Sequence, residues 1–317
     1  MARMIRIIGT ILALTCIGYL VVKQAPNLPP LEVSSPTLWA ALAASLLCYV
    51  LSQFAAAEAW RSILTLWGVM IAPRLAWGQP MVSQIGKYIP GNVAHLFGRV
   101  VIGRRDGVAG SILAASMVLE VAITLGVGLA VAGLLLIIQP EAIPNLATNY
   151  PDLTTQLLPV LFVVLLAIGV GGGAIILNSR MQALGLQGPS MSELVRPLAL
   201  HLASFCILGV SLWAAALAIA PDLAPHLVTC TLIFAIAWAA GFVVPGAPGG
   251  IGVRDSIIVL GLAATMGEGS GLAVALLHRA ISVLGDLSTF AIGWNMRRAI
   301  GQIIPHNKTE LAIFSAD

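Results

Sequence analysis

Residues 85–99 read IGKYIPGNVAHLFGR, which sets Lys87, Tyr88, Asn92, His95 and Arg99 around a Pro90-Gly91 pair in a chain that is 59% hydrophobic. Proline and glycine pairs break helices, and non-helical backbone at membrane depth is stable only where protein buries it or a water-filled cavity hydrates it. How this stretch sits relative to a bilayer therefore decides the fold.

The bilayer itself follows from composition. Charged residues make up 9% of 317, and mean hydropathy is +0.97. Apolar runs of the length that crosses a membrane, about 17 to 25 residues, recur along the chain. The net charge of +3 is too small to point to a nucleic-acid partner, and the lysines and arginines gather near run ends, where topology accounts for them. Cys16, Cys48, Cys206 and Cys230 are far apart and inside apolar runs, with neither metal-ligand spacing nor a disulfide framework. No metal and no cofactor are expected.

The first run, 5–22, follows Arg3 and Arg6 and lacks a small-x-small cleavage site, so it is expected to be a retained helix. Further spans are expected at about 37–57, 111–138, 157–177, 197–220 and 271–293. Two stretches resist this pattern: about 75–105, which holds the opening motif, and about 227–268, which is cut by FVVPGAPGGIGVRD. If each dips into the bilayer and returns, the chain is an all-α polytopic membrane protein with six spans and two re-entrant hairpins. The alternative is eight full spans. Both arrangements put the N- and C-termini in the cytoplasm. With the first hairpin counted inside, all 16 lysines and arginines except Lys23, Arg254 and Arg279 lie on the cytoplasmic side, whereas Glu32, Glu141, Asp152, Asp222 and Glu268 lie outside.

An internal regularity favours the hairpins. Arg99 follows Pro90 by nine residues, and Arg254 follows Pro245 by the same nine. Each interrupted stretch is preceded by two spans and followed by one, and the following span carries a lone charge, Glu120 or Arg279. Three crossings is an odd number, so the second half is inverted relative to the first. The expectation is one membrane domain over 1–317 without a soluble domain, built from pseudo-repeats at about 1–138 and 157–295. Inverted repeats whose broken helices meet near the midplane are a transporter architecture.

The candidate site follows from the same geometry. With Pro90-Gly91 at the first tip, Asn92 would cap a returning half-helix whose positive end faces the membrane interior and attracts anions. His95 and Arg99 lie about one and two turns further on and share that face. The second hairpin offers a flexible tip, Pro245, Gly246, Pro248, Gly249 and Gly250, together with Arg254. Glu120 and Arg279 each sit about nine residues into a span, where ionisable groups usually face the bundle interior or a cavity. Lys87, Asn92, His95, Arg99, Glu120, Arg254 and Arg279 thus form a candidate phosphate pocket. Structural alternatives stand beside this: Lys87 and Arg99 as positive-inside anchors, His95 as a packing hydrogen bonder, Arg254 with Asp255 as a loop pair, and Glu120 with Arg279 as an ion pair that fixes helix packing. The glycines of PGAPGGIG form no nucleotide loop, since no strand precedes them and no GK[ST] follows. HExxH, GxSxG and GxGD are absent, so an enzyme is not expected.

The ordered set YIPGNVAHLFGRVVIGRRDGV, Glu120 in the next helix, VPGAPGGIGVRD and LLHRAISVLGD resembles the transmembrane, flippase-like region of the lysylphosphatidylglycerol synthase family, over about Trp60 to Asp286. The resemblance implies movement of an anionic lipid, or of a headgroup on a polyprenyl-phosphate carrier, between leaflets of a bacterial cytoplasmic membrane. Position by position it points to Pro90, Gly91, Arg99, Glu120, Pro245, Pro248, Gly249, Gly250, Gly252, Arg254 and Arg279. The aminoacyl-transferase domain of bifunctional relatives is not expected here, so neither is synthesis of a lysyl-lipid. In another branch an acidic residue often follows the first Pro-Gly, where this chain has Ala94-His95, and the headgroup stays open. A homodimer, or a partner synthase served by this protein as an accessory subunit, also remains open, as does an intramembrane lipid-modifying enzyme.

Overall fold

The computed structural model describes residues 15, 18, 19, 22, 23, 25–30, 33–89, 93–139, 190–244 and 248–303. The expected spans at 157–177 and, for the most part, 5–22 lie outside the described residues, as do Pro90, Gly91, Asn92, Pro245 and Gly246. Within the described residues every regular element is helical. The eight α-helices are α1 (Pro36–Leu66), α2 (Pro73–Ser83), α3 (Ala94–Arg105), α4 (Gly110–Ile138), α5 (Met191–Ile219), α6 (Leu227–Val243), α7 (Val253–Met266) and α8 (Glu268–Ile303).

Length separates these helices into two kinds. α1, α4, α5 and α8 are long and apolar enough to cross a membrane. α2, α3 and α7 run for only 11, 12 and 14 residues, and α6 for 17, so at about 1.5 Å per residue α2, α3 and α7 fall well short of a hydrocarbon layer about 30 Å thick. The order long, short, short, long occurs twice. Local chemistry sets the boundaries. Pro36 and Pro73 occupy first-turn positions, where a missing N–H costs nothing. Ser190 and Glu193 form a capping box at the start of α5, with Ser190 N donating to Glu193 Oε2 at 2.7 Å. α7 opens on Gly252, whose φ of 83° suits glycine, and whose N–H donates to Asp255 Oδ2 at 3.1 Å.

The short pairs are hairpins that enter from opposite faces. The outer ends of α2 and α3 lie with the C-terminal part of α8, because Arg297 grips Asp106 just after α3 at 2.6 and 2.8 Å and reaches Leu75 O in α2. On this face, too, Glu58 of α1 accepts from Arg196 at the start of α5 and from Trp77 of α2, at 2.5 and 2.7 Å. At the other face α6 begins beside the end of α4, through Thr229 Oγ1 donating to Gln139 Oε1 at 3.2 Å, and α7 ends at Gly267 beside Lys23, which pairs with Glu268 at 3.8 Å. The inner ends meet. A Cβ added at Gly249 would stand 3.4 Å from the Tyr88 ring and 3.6 Å from Lys87 Cγ, so the 3-10 turns Gln84–Tyr88 and Pro248–Gly250 touch.

α1 and α5 form the spine. They run antiparallel with serines in register: Ser45 Oγ donates to Ser211 O at 2.6 Å, Ser211 Oγ returns a bond to Ser45 O at 2.9 Å, and seven residues along each helix Ser204 Oγ donates to Ser52 O at 3.2 Å. Small residues let helix backbones approach where lipid supplies no hydrophobic drive between helices. The same device joins α2 to α8, where a Cβ on Gly293 would sit 2.7 Å from Met81 Cβ.

Candidate functional site

Between the two hairpins lies a cavity of about 190 Å³. Its polar side is built by the hairpins and α4, from Lys87, His95, Arg99, Glu120, Arg254 and the backbone of Gly249 and Gly250. Its other side is α5 and α6, which supply His201, Ser204, Phe205, Leu208, Trp238 and Phe242. Phe205 meets Trp238 edge to face and Trp238 stacks on Phe242, both with ring centroids 5.3 Å apart. A charged wall thus faces an aromatic one.

Arg99 and Glu120 form an ion pair across α3 and α4, with side chains 6% and 12% exposed. Glu120 is ten residues into α4, about 15 Å from its start and close to the middle of a bilayer core. A charge at that depth needs a partner, and Arg99 supplies it while its guanidinium lies 4.7 Å from the Trp60 ring centroid. Arg99 Nε has no partner among the described residues. His95, one turn before Arg99, is 9% exposed, and its Nδ1 is likewise unpartnered. His201 approaches Thr124 Oγ1 at 3.3 Å.

Lys87 reaches from the first tip to Asp286 of α8 at 2.7 Å. Asp286 is fully buried and collects three further donors: Tyr88 Oη at 2.5 Å, Tyr49 Oη at 3.0 Å and Gln53 Nε2 at 3.1 Å. With four donors its carboxylate is satisfied, and the first hairpin is tied to the last helix.

Arg279 and Arg254 divide the work at the second tip. Arg279 is bidentate to Asp255, with Nε and Nη2 at 2.7 to 3.0 Å from its oxygens, and its Nη1 donates to Gly249 O at 3.0 Å. Its guanidinium is therefore occupied, and Arg279 is not among the residues that line the cavity. Arg254 does line it, and differs. It is 7% exposed, its Nη2 donates to Ser282 Oγ at 3.2 Å, its Nε has no hydrogen-bond partner, and among the described residues no carboxylate pairs with it. The nearest aromatic face is Phe234, 5.8 Å from its Cζ.

Of the residues singled out in the sequence, Lys87, His95, Arg99, Glu120, Arg254, Gly249 and Gly250 come together around the cavity. Arg279 stands behind it as a brace on Gly249. The capping position expected of Asn92 falls instead to Val93, because α3 begins at Ala94, and no side chain makes a capping hydrogen bond there. Glu120 and Arg279 have separate partners rather than each other. In each half the returning half-helix is tied to the following long helix by an ion pair, and the polarity is reversed: Arg99 with Glu120 in the first, Asp255 with Arg279 in the second. Sequence reasoning missed the roles of Asp255, Asp286, Tyr49, Gln53 and the aromatic wall. Asp286 carried a signal, being an acid within an apolar run, while Tyr49 and Gln53 carried none.

Fold and site together define a multi-pass α-helical membrane protein with a partly polar cavity where two half-helix hairpins meet. The chain belongs to the family described as the lysylphosphatidylglycerol synthase TM region, whose model matches residues 6–287. No curated protein matches it. Family membership joins the chain to membrane lipid chemistry without assigning a substrate.

Proposed function

We propose that the protein moves an anionic lipid between the leaflets of a bacterial cytoplasmic membrane, holding the phosphate-bearing headgroup in the cavity between the hairpins. The observation that carries this is Arg254: a buried guanidinium on the cavity wall, with no carboxylate partner among the described residues and a free Nε. Such a charge is costly unless something neutralises it, and a guanidinium fork matches phosphate oxygens. α7 adds the positive end of its dipole beside Gly249 and Gly250. The facing Phe205, Trp238 and Phe242 suit the apolar neck of a lipid better than a hydrated ion. In this reading the protein is a translocator and catalyses no bond change.

The test is reconstitution of the full chain alone into vesicles with tail-labelled phosphatidylglycerol, scored by how much label an impermeant quencher reaches. Protein-dependent exchange that falls at least about tenfold in Arg254→Gln supports the proposal, since truncating a charge contact in a desolvated site costs about 2 kcal/mol or more. Absence of exchange by monodisperse wild-type protein points to an accessory subunit, and chemical conversion of the lipid, seen by mass spectrometry, points to an enzyme.

A further inference from the structure

A line of contacts runs from the outer end of the first hairpin to the cavity, and it passes through two side chains that the cavity itself does not touch. Asp106, just after α3, is gripped by Arg297 of α8 at 2.6 and 2.8 Å. Its Oδ2 also accepts from Gln79 Nε2 at 2.8 Å, and Gln79 Oε1 accepts from Trp60 Nε1 at 2.9 Å. The Arg99 guanidinium lies 4.7 Å from the centroid of the Trp60 ring. Trp60 and Gln79 are fully buried, and neither lines the cavity.

Each link constrains the next. A carboxylate only accepts and an indole N–H only donates, so a single orientation of the Gln79 amide serves both. With Asp106 held from α8, and with Leu64, Val108 and Leu113 packed around the ring in one small core, the indole plane cannot turn. Arg99 is thereby held on two sides. Glu120 accepts from Nη1 and the ring covers a face, while Nε has no partner among the described residues. Glu120 alone would not fix this geometry, because one bonded nitrogen leaves the guanidinium plane free to rotate about that contact. We propose that Trp60, fixed by Gln79, is a positioning residue for translocation: its ring sets the plane of the Arg99 guanidinium, and so the direction in which the unused donors of that group meet the headgroup. The role rests on the translocation reading above, and it acts through Arg99 rather than through contact with lipid.

The experiment separates orientation from folding. Trp60→Leu keeps an apolar side chain in the core and removes the ring face. Exchange of tail-labelled phosphatidylglycerol by the full chain in phosphatidylcholine vesicles should fall about tenfold, equivalent to about 1.4 kcal/mol and within reach of a desolvated cation–π contact. The mole fraction of unlabelled phosphatidylglycerol that halves this exchange should rise as well, whereas a variant that only folds less well loses rate without moving that fraction. Arg99→Lys keeps a cation for Glu120 but has no planar fork to orient, so adding Trp60→Leu to it should cost less than about twofold. Losses that multiply to about a hundredfold, or a halving fraction that stays at its wild-type value, would overturn the role. Should Trp60→Leu fail to fold, Trp60→Phe decides the matter, because it retains a ring face without the N–H. It is expected to lose no more than about threefold and to make Gln79→Leu without further effect, although Gln79→Leu alone slows exchange and raises the halving fraction. An equal loss from Gln79→Leu in the wild-type and Trp60→Phe proteins would show that Gln79 does not act through the indole and would overturn the proposal. Wild-type protein that moves no phosphatidylglycerol would overturn translocation itself, and this role with it; exchange by the wild type alongside multiplying losses overturns the role alone.

Discussion

The brace at the second tip can be tested by removing Arg279 and asking what is lost first, the fold or the flux. Arg279 and Asp255 have side chains only 15% and 6% exposed, and the arginine makes three contacts to the carboxylate and one to the Gly249 carbonyl. Arg279→Ala strands a buried carboxylate, which costs about 3–5 kcal/mol. At roughly 2 °C per kcal/mol for a chain of this size, the detergent-solubilised protein should melt about 6–10 °C lower. Arg279→Lys keeps the charge and loses the fork, so a smaller loss of about 2 kcal/mol is expected. Asp255→Ala should cost as much as Arg279→Ala, because it strands the arginine and also removes the carboxylate that caps Gly252 N. The double variant Arg279→Ala/Asp255→Ala should then lose less than the sum of the two by at least about 2 kcal/mol, the signature of a directly coupled pair. Melting followed by tryptophan fluorescence or by loss of monodispersity reads this out alongside lipid exchange. If Arg279→Ala melts with the wild type but carries no flux, the side chain contacts the headgroup and the brace assignment is wrong.

Three further outcomes follow from the same geometry. Cysteines replacing Lys87 and Gly249, in a background lacking Cys16, Cys48, Cys206 and Cys230, have Cβ atoms within about 5 Å, given 3.6 Å from Lys87 Cγ to the Cβ position of Gly249; a short bis-methanethiosulfonate reagent should link them, and separate labelling without a link would show that the tips do not meet. Arg99→Leu alone should destabilise the protein by about 3–5 kcal/mol by leaving Glu120 unpaired, whereas Arg99→Leu/Glu120→Leu should recover most of the melting temperature but not the exchange rate; recovery of both would reduce the pair to a packing device. Gly249→Ala meets no close atom, its added Cβ lying 3.4 Å from the Tyr88 ring, but φ is 57°, so a cost of about 1–2 kcal/mol is expected from backbone strain alone, and a gain in thermal stability would refute that tip conformation.

The hairpins were legible because proline and glycine act locally: PGAPGG cannot continue α6, and YIPGN cannot continue the turn after α2. The long helices were legible because a bilayer demands length and apolarity together. Partner choice was not. Glu120 and Arg279 sit at matching depths and look like a pair in one dimension, yet each is claimed by the half-helix that precedes it, and nothing in the string says that Asp255 turns toward Arg279 rather than Arg254. The aromatic wall was hidden for a different reason. In water a helix shows its buried face as an apolar stripe, but in lipid both faces are apolar, so Trp238 in the cavity and Trp294, 48% exposed, read alike. Asn92 looked like the cap of α3 because asparagine is a good capping residue, but the helix starts one residue later than that reading needs, at Ala94.

The serine seam between α1 and α5 sets which parts of the molecule can slide. Its bonds run from hydroxyls to backbone carbonyls of the opposite helix, at Ser45, Ser211 and Ser204. In water such bonds trade places with solvent at little cost, but hydrocarbon has no replacement donor or acceptor to offer. Peeling the two helices apart would strand those polar groups together, so this contact serves as an axle and not as a mouth. In the translocation proposed above, motion that exposes the cavity to one leaflet or the other would then be carried by the hairpins, α4 and α8, swinging about a line that stays shut.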